Sequence, residues 1–171
     1  TASLKMQSVF AWVDDFLATD RKLLLFAVHL DTIARIQARY QGCCLAINGS
    51  TPSRERHDIH ERFNNDARIR LLVANNAAGT GWGCTSASDV AFVELYWAPG
   101  VHVQMEDRVA GLNRGTGAPI CSHWLLARDT VEVKIARLLQ AKQEVISQVL
   151  DGGECSDDIS IYDQFIEELK S

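Results

Sequence analysis

A polar segment in the middle of the chain carries the residues best suited to chemistry. Gln104, Asp107 and Arg108 fall close together, and Arg114 follows in a glycine-containing loop. A guanidinium presents a fork of N–H donors that matches the oxygens of a phosphate group. The chemistry of this chain is therefore expected in this segment and in the loop before it.

A small-residue loop precedes this segment and contains the alternating glycines Gly79, Gly81 and Gly83. It lies between apolar strands expected at 71–73 and 90–95. Nucleotide enzymes of the α/β class place such a loop, with a polar helix after the next strand, at the carboxyl edge of a parallel sheet. The glycines do not form a dinucleotide fingerprint, because the closing glycine and a helix start are missing and the loop follows the third strand.

Strand and helix patterns alternate along the chain. The apolar runs that predict strands lie at 22–29, 44–47, 69–74, 90–95 and 120–127. Helical spacing of apolar residues predicts a helix before the first strand, helices between strands, and a long helix capped by Thr130. Asn64 to Asp66 should stop the third helix, with His57 and His60 on its surface. This alternation favours an α/β fold in which helices cover a parallel sheet.

The turn from Asn48 to Pro52 ends a strand and begins a helix. Thr51 is predicted as the N-cap and Pro52 as the first helical residue. The Ser50 and Thr51 hydroxyls would suit an anionic oxygen, because the first N–H groups of a helix have no internal partners. Simple capping of the helix is the alternative explanation.

The composition limits the class of protein. A net charge of −5 and a pI near 5.5 argue against a stand-alone nucleic-acid binder with a pervasive basic field, although one local basic face is compatible with them. The five cysteines lack C-x-x-C spacing and the histidines lack metal-ligand spacing, so we expect free thiols, a reducing compartment and no metal site. No apolar stretch approaches the roughly 18 residues of a membrane span. We therefore expect a soluble intracellular protein that is not secreted.

Several sequence blocks occur together in a fixed order. They are FAVH at 26–29, NGSTPSRER at 48–56, LLVANNAAGTGWGCTSASDVAFVELYWAPG at 71–100, QMEDR at 104–108 and LLARDTVE at 125–132. This combination resembles the second RecA-like lobe of superfamily-2 helicase-related ATPases. Within them it is most similar to the SWI/SNF-related DNA translocases, in the branch that contains the annealing helicases. The resemblance covers residues 5–150 of the chain.

The resemblance implies an architecture. It predicts a RecA-like α/β lobe with three α/β/α layers, in which a parallel sheet lies between helices, of the P-loop NTPase type but without the P-loop. Residues 1–150 are then the helicase C-terminal domain, and residues 151–171 are an acidic tail that could form a docking helix. The sequence opens on a helical pattern at Thr1, as expected of a fragment of a longer chain.

The resemblance also implies roles for individual residues. FAVH matches motif IV, Ala74 to Gly83 matches motif V, and QMEDR matches motif VI. Contacts to the DNA backbone are implied for His29, Gly49, Ser50, Thr51, Asn75 and Asn76, beside Arg56. Contacts to ATP are implied for Gly79, Gly81, Gln104 and Asp107. Catalytic roles are implied for Arg108 and Arg114, and the second of these would be the arginine finger.

Two departures from the family's pattern bear on catalysis. The pattern places the finger at position 111, which is Gly111 here. Either the finger is absent or a short insertion around Gly111 moves its role to Arg114. We favour the insertion, because the residues after Arg114 lead into Pro119 and the next strand as they do in the family. Asn75 and Asn76 stand where a threonine or serine is usual, and an amide can still hydrogen-bond a phosphate.

The phosphate-binding parts of such an enzyme are missing from the sequence. It contains no G-x-x-x-x-G-K-S/T loop and no Asp-Glu pair after an apolar strand. We therefore predict the C-terminal lobe of an ATP-dependent DNA translocase or helicase, which is inactive without its N-terminal lobe. ATP and Mg²⁺ would be cofactors of the complete protein, and this lobe alone would hold neither.

The predicted partners are DNA and the N-terminal lobe, with no membrane, and the isolated lobe should be monomeric. We expect the protein in the nucleus of a eukaryote or the cytoplasm of a prokaryotic or virus-infected cell. The alternative function is a degenerate lobe that serves as a nucleic-acid-binding or protein-binding regulatory module. A Rossmann-type enzyme would need a phosphate loop after the first strand, and His29-Leu30-Asp31 is not one.

Overall fold

The computed structural model describes residues 2–76, 83–110, 120–128 and 130–150. Its helices are α1 (Ala2–Leu17), α2 (Leu30–Arg39), α3 (Ser53–Asn65), α4 (Pro99–Ala110) and α5 (Val131–Leu150). Its strands are β1 (Leu23–Phe26), β2 (Cys44–Ile47), β3 (Leu71–Ala74), β4 (Asp89–Phe92) and β5 (Cys121–Trp124). Among the helices of these ranges, none combines the length and the hydropathy needed to cross a bilayer.

The strands form one parallel sheet in the order β2-β3-β1-β4-β5. The central strand β1 pairs with β3 and β4, and Leu23 lies opposite Leu71 on one side and Asp89 on the other. The predicted parallel sheet is confirmed. The strand predicted at 120–127 is shorter than expected, because β4 pairs only with Cys121–Trp124.

Helices α1 and α2 cover one face of the sheet. The buried cluster on this face combines side chains of both helices with alternate strand residues, namely Met6, Val9, Val13, Phe16, Leu23, Leu25, Ile33, Ile36, Tyr40, Leu71, Val73 and Ala91. Polar contacts join the two helices as well, since Arg39 and Tyr40 donate to Asp14 at 2.7 and 2.8 Å. These two hydrogen bonds lower the pKa of Asp14.

The opposite face carries α3 and the second half of α4. Leu24, Phe26 and Phe92 alternate with residues of the first cluster and are also fully buried. The connection from β1 to β2 crosses the strand order in one direction. The connections from β2 to β3 and from β4 to β5 cross it in the opposite direction. Right-handed crossovers therefore place α3 and α4 on the face opposite α2. The result is the three-layer arrangement of a RecA-like lobe.

Backbone contacts divide the chain into two compact units. The first contains α1 to α3, the five strands and the second half of α4. The second contains the segment 95–102 and α5, whose buried apolar residues are Ile135, Ala136, Leu138 and Leu139. The Thr130 hydroxyl accepts a hydrogen bond from the Glu132 N–H at 3.3 Å, which confirms the predicted cap of the last helix.

The cysteines that the structure describes are free thiols, as predicted. Cys44 and Cys84 are buried and Cys121 is exposed. Burial raises the pKa of Cys44 and of Cys84 to about 12. Both thiols therefore stay protonated and unreactive at neutral pH. Within the described ranges, no three His, Cys, Asp or Glu side chains are grouped so that they could hold a metal ion.

Candidate functional site

Residues predicted for the site follow three different strands. His29 comes after β1, Gly49 after β2 and Asn75 after β3. The carboxyl ends of neighbouring parallel strands meet at one edge of the sheet. The fold therefore brings to one edge residues that are far apart in the sequence.

The turn after β2 is held together by its own side chains. Asn48 Oδ1 accepts hydrogen bonds from the Ser50 N–H at 2.9 Å and from the Ser50 hydroxyl at 2.6 Å. Thr51 Oγ1 accepts from the Asn48 N–H at 3.0 Å, and its own hydroxyl proton can still be donated. Arg56 donates from Nε to the Thr51 carbonyl at 2.7 Å. The Ser50 hydroxyl is therefore used within the turn, whereas the Thr51 hydroxyl keeps a proton that it can donate to a ligand.

The start of α3 differs from the prediction. Pro52 is the N-cap, with φ −59° and ψ 146°, and Ser53 is the first helical residue. The prediction of Thr51 as N-cap is wrong, because its oxygen accepts from Asn48 instead. Pro52 has no side-chain acceptor, so the N-cap satisfies none of the first N–H groups of α3. Helix capping therefore does not explain the Ser50 and Thr51 hydroxyls of this turn.

Asn75 and Asn76 begin the loop after β3. Asn75 is only 8% exposed, and among the residues that the structure describes no donor reaches its Oδ1 atom. A buried acceptor without a partner costs roughly 1–3 kcal/mol. Within the described residues, this edge of the sheet therefore holds a buried acceptor that no donor reaches. Gly79 and Gly81 lie outside the described residues.

The described chain resumes at Gly83, which is anchored on two sides. On one side, the Cys84 N–H donates to the Arg108 carbonyl of α4 at 2.7 Å. On the other, Asn64 donates from Nδ2 to the Gly83 carbonyl at 3.1 Å, and His60 Nε2 contacts the same carbonyl. The exit of the glycine loop therefore joins α3 to α4.

Helix α4 exposes the side that carries the predicted motif residues. Gln104 and Asp107 are exposed and Arg108 is half-buried, at the three- and four-residue spacing of one helix face. Burial lowers the pKa of Arg108, although a guanidinium stays charged in proteins. The backbone of Arg108 lies beside the loop exit, where its carbonyl accepts from the Cys84 N–H. Gly111 and Arg114 lie outside the described residues.

A side chain closes the crevice between β1 and β4. The chain leaves these neighbouring strands in opposite directions, and such a switch point is the usual ligand crevice of an open α/β sheet. Here Glu94 Oε2 accepts from the N–H groups of Val28 at 2.7 Å and His29 at 2.8 Å. Its Oε1 accepts from the Thr32 hydroxyl at 2.6 Å. A carboxylate of the chain itself therefore occupies the N-terminus of α2, where a Rossmann-type enzyme would bind phosphate.

Replacing Glu94 with alanine should destabilise the domain by about 2–3 kcal/mol, because two N–H groups and one hydroxyl lose a charged acceptor. Urea unfolding followed by circular dichroism would measure the change. Glu94→Gln keeps one oxygen that can accept a hydrogen bond, so it should lower the free energy of unfolding less than Glu94→Ala does. Asp58→Ala, which removes an exposed carboxylate from α3, is the control. A loss below about 0.5 kcal/mol for Glu94→Ala would contradict this role.

The roles of three residues around the candidate site were not predicted from the sequence. No sequence pattern indicated the role of Glu94, because its hydrogen-bond partners lie more than 60 residues away along the chain. The prediction that His60 lies on the surface of α3 is wrong, since the side chain contacts Gly83 and burial lowers its pKa. The run from Asn64 to Asp66 ends α3 as predicted, with Asp66 as the C-cap, but the contact of the Asn64 amide with the loop exit was not predicted.

The strand order and the helix beside the loop exit define a RecA-like lobe. It is a lobe in which no phosphate-binding loop follows the first strand. Residues 8–112 match the family described as the helicase conserved C-terminal domain, and the chain belongs to that family.

Two curated relatives show the branch of the family. The chain is 34% identical over 152 residues to the SWI/SNF-related matrix-associated actin-dependent regulator of chromatin subfamily A-like protein 1 of Bos taurus, a match that covers 86% of this chain and 16% of the relative. It is 33% identical over 161 residues to the DNA annealing helicase and endonuclease ZRANB3 of Mus musculus, covering 89% of this chain and 14% of the relative. The chain thus spans about one sixth of the length of these relatives.

Solved structures show the same fold. The Sulfolobus solfataricus SWI2/SNF2 ATPase core in complex with dsDNA superposes with a TM-score of 0.66 at 25% identity, over 86% of this chain and 32% of that one. The C-terminal part of the Fun30 ATPase domain superposes with a TM-score of 0.69 at 19% identity, over 92% of this chain and 48% of that one, and shows the fold alone. The prediction of a C-terminal RecA-like lobe of an SNF2-family helicase is confirmed.

Proposed function

We propose that this chain is the C-terminal lobe of an ATP-driven DNA translocase, which contacts the DNA backbone and supplies arginines to ATP held by an N-terminal lobe. One observation carries the proposal. The hydrogen bond from the Cys84 N–H to the Arg108 carbonyl, 2.7 Å long, fixes the arginine-bearing helix beside the exit of the glycine loop. That loop leaves the same edge of the sheet as the residues proposed to face DNA.

The proposed contacts to DNA are mostly to phosphates. Thr51 can donate its hydroxyl, the first N–H groups of α3 have no cap side chain, and Arg56 adds positive charge beneath the turn. His29 is exposed at the start of α2, at the same edge. Phosphate contacts carry no sequence information, so binding should depend little on DNA sequence. The Sulfolobus relative bound to dsDNA supports this choice of partner.

The proposed nucleotide site lies in the cleft between the two lobes. ATP with Mg²⁺ would supply the phosphoryl group, and the N-terminal lobe would cradle the phosphates. From this lobe, Gln104 and Asp107 would position the nucleotide with Gly79 and Gly81. Arg108 and Arg114 would place positive charge at the γ-phosphate oxygens, where negative charge develops in the transition state. Closing and reopening of the cleft would move this lobe along the DNA in a hinge-type cycle.

A degenerate binding or regulatory module is the second candidate, and Gly111 favours it because the family's pattern places the arginine finger there. In both cases the lobe would be monomeric on its own. The protein would act in the nucleus of a eukaryote, or in the cytoplasm of a prokaryotic or virus-infected cell.

Two proteins should be compared to test the proposal, this chain alone and the chain preceded by a lobe that carries G-x-x-x-x-G-K-S/T. We expect phosphate release only from the two-lobe protein, and we expect duplex DNA to stimulate it, because this lobe lacks the phosphate loop. DNA-stimulated turnover by the chain alone would contradict the proposal. A two-lobe protein that binds DNA without hydrolysing ATP would favour the binding module.

A further inference from the structure

We propose that His60 and Asn64 are positioning residues that transmit DNA binding from α3 to the arginine-bearing helix α4. The proposal rests on the function proposed above. The N-terminus of α3 follows the turn proposed to face DNA, and His60 and Asn64 lie one turn apart near its other end. Ser53 and Asn64 are separated by roughly 16 Å at 1.5 Å per residue. One rigid helix therefore contacts the proposed DNA site at one end and the loop exit at the other.

The contacts of this pair fix the position of the loop exit. The Gly83 N–H donates to His60 Nε2 at 3.1 Å, and the Gly83 carbonyl accepts from Asn64 Nδ2 at 3.1 Å. Asn64 Oδ1 accepts from the Ser86 N–H at 3.2 Å and from the Ser86 hydroxyl at 3.0 Å. Both polar atoms of the Asn64 amide are thus used on the segment 83–86. A displacement of α3 would carry this segment with it.

The same segment holds α4. Cys84 lies between the residues bound by Asn64, is fully buried, and donates its N–H to the Arg108 carbonyl at 2.7 Å. The Ala87 N–H closes the turn on the Cys84 carbonyl at 3.1 Å. Movement of the segment would therefore shift the backbone that carries the Arg108 guanidinium. A continuous chain of hydrogen bonds of this kind is a physical route by which one site can bias another.

The test uses the two-lobe protein with the variants Asn64→Asp and His60→Ala. Asn64→Asp keeps an acceptor for Ser86 and replaces the donor that faces the Gly83 carbonyl with an oxygen. The exposed residues Asn65 and His57 of the same helix provide the matched controls Asn65→Ala and His57→Ala. ATP hydrolysis is measured at increasing concentrations of duplex DNA, and circular dichroism checks that each variant is folded.

We expect Asn64→Asp to lower the DNA-stimulated maximal rate about tenfold, because the coupling bond is replaced by repulsion between two oxygens. The DNA-free rate and the DNA concentration at half-maximal rate should change less than about twofold, since the hydrogen bonds of this side chain to Gly83 and Ser86 lie within the lobe. A merely structural role would lower the DNA-free and DNA-stimulated rates by the same factor. The ratio of the two rates would then be the same as in the wild-type protein, and that result would overturn the proposal.

Amide hydrogen exchange of the unmodified two-lobe protein gives a second readout that depends on no variant. DNA should change the protection of the Cys84 amide, which donates to Arg108. If DNA stimulates hydrolysis without changing exchange at Cys84, the coupling route is wrong and the proposed function stands. If the wild-type protein shows no DNA-stimulated hydrolysis, the proposed function itself fails.

Discussion

Replacing Arg114 with alanine in the two-lobe protein should lower the maximal rate of DNA-stimulated ATP hydrolysis by roughly a thousandfold. An arginine finger stabilises the γ-phosphate oxygens of the transition state, and such residues contribute on the order of 10³–10⁵ in rate. Because the contact forms mainly in the transition state, ATP binding should change little. Steady-state phosphate release gives the rate, and titration with a fluorescent ATP analogue gives the affinity.

The companion variants decide which arginine is the finger. Arg114→Lys keeps the charge without the fork of donors and should recover only a small part of the rate. Arg137→Ala, which removes an exposed arginine from α5, should have no effect. If Arg114→Ala lowers the rate less than about fivefold while Arg108→Ala abolishes it, the insertion around Gly111 is the wrong interpretation. Indifference to both arginines would favour the binding module.

The parallel sheet could be predicted because its strands are buried on both faces and appear as unbroken apolar runs. Leu23–Phe26 and Leu71–Ala74 are examples, and the structure buries every residue of both. The strand order was not predictable from those runs. Pairing also decided where each strand ends, and for this reason Cys121–Trp124 is shorter than its apolar stretch.

The motif residues of the candidate site could be proposed from the sequence because their spacing is local. The contacts that hold them could not, since Glu94 binds the N-terminus of α2 across more than 60 residues of chain. The cap of α3 was misassigned for a related reason. The Thr51 hydroxyl had two possible partners, and only the folded turn shows that it accepts from Asn48. A sequence pattern names the polar groups of a site, whereas tertiary contacts decide which of them stay available to a ligand.

A buried carboxylate at the amino edge of the sheet was also not predicted from the sequence. Asp89, the first residue of β4, is completely buried. Arg21 Nη1 donates to its two oxygens at 2.9 and 3.1 Å, the Ser88 hydroxyl donates at 2.6 Å, and His123 Nε2 lies 2.9 Å away. A charge buried in this way depends on its partners, because it cannot be hydrated.

Arg21→Met should therefore destabilise the domain by about 3 kcal/mol, since it leaves the Asp89 carboxylate buried without its arginine. Urea unfolding at neutral pH would measure the loss. Arg68→Met is the matched control. Arg68 also pairs with an aspartate at 2.9 Å, but its side chain is 86% exposed, so its removal should have little effect.

Adding Asp89→Asn to Arg21→Met separates the buried charge from the hydrogen bonds at this edge. The second substitution removes the uncompensated carboxylate, so the double variant should be more stable than Arg21→Met alone, and the two effects should not add. The asparagine can still accept from Ser88, which preserves part of the network. If the losses of unfolding free energy caused by Arg21→Met and by Asp89→Asn instead add, the hydrogen bonds of Asp89 stabilise this edge of the sheet more than its charge does. The predicted cost of Arg21→Met would then have another cause.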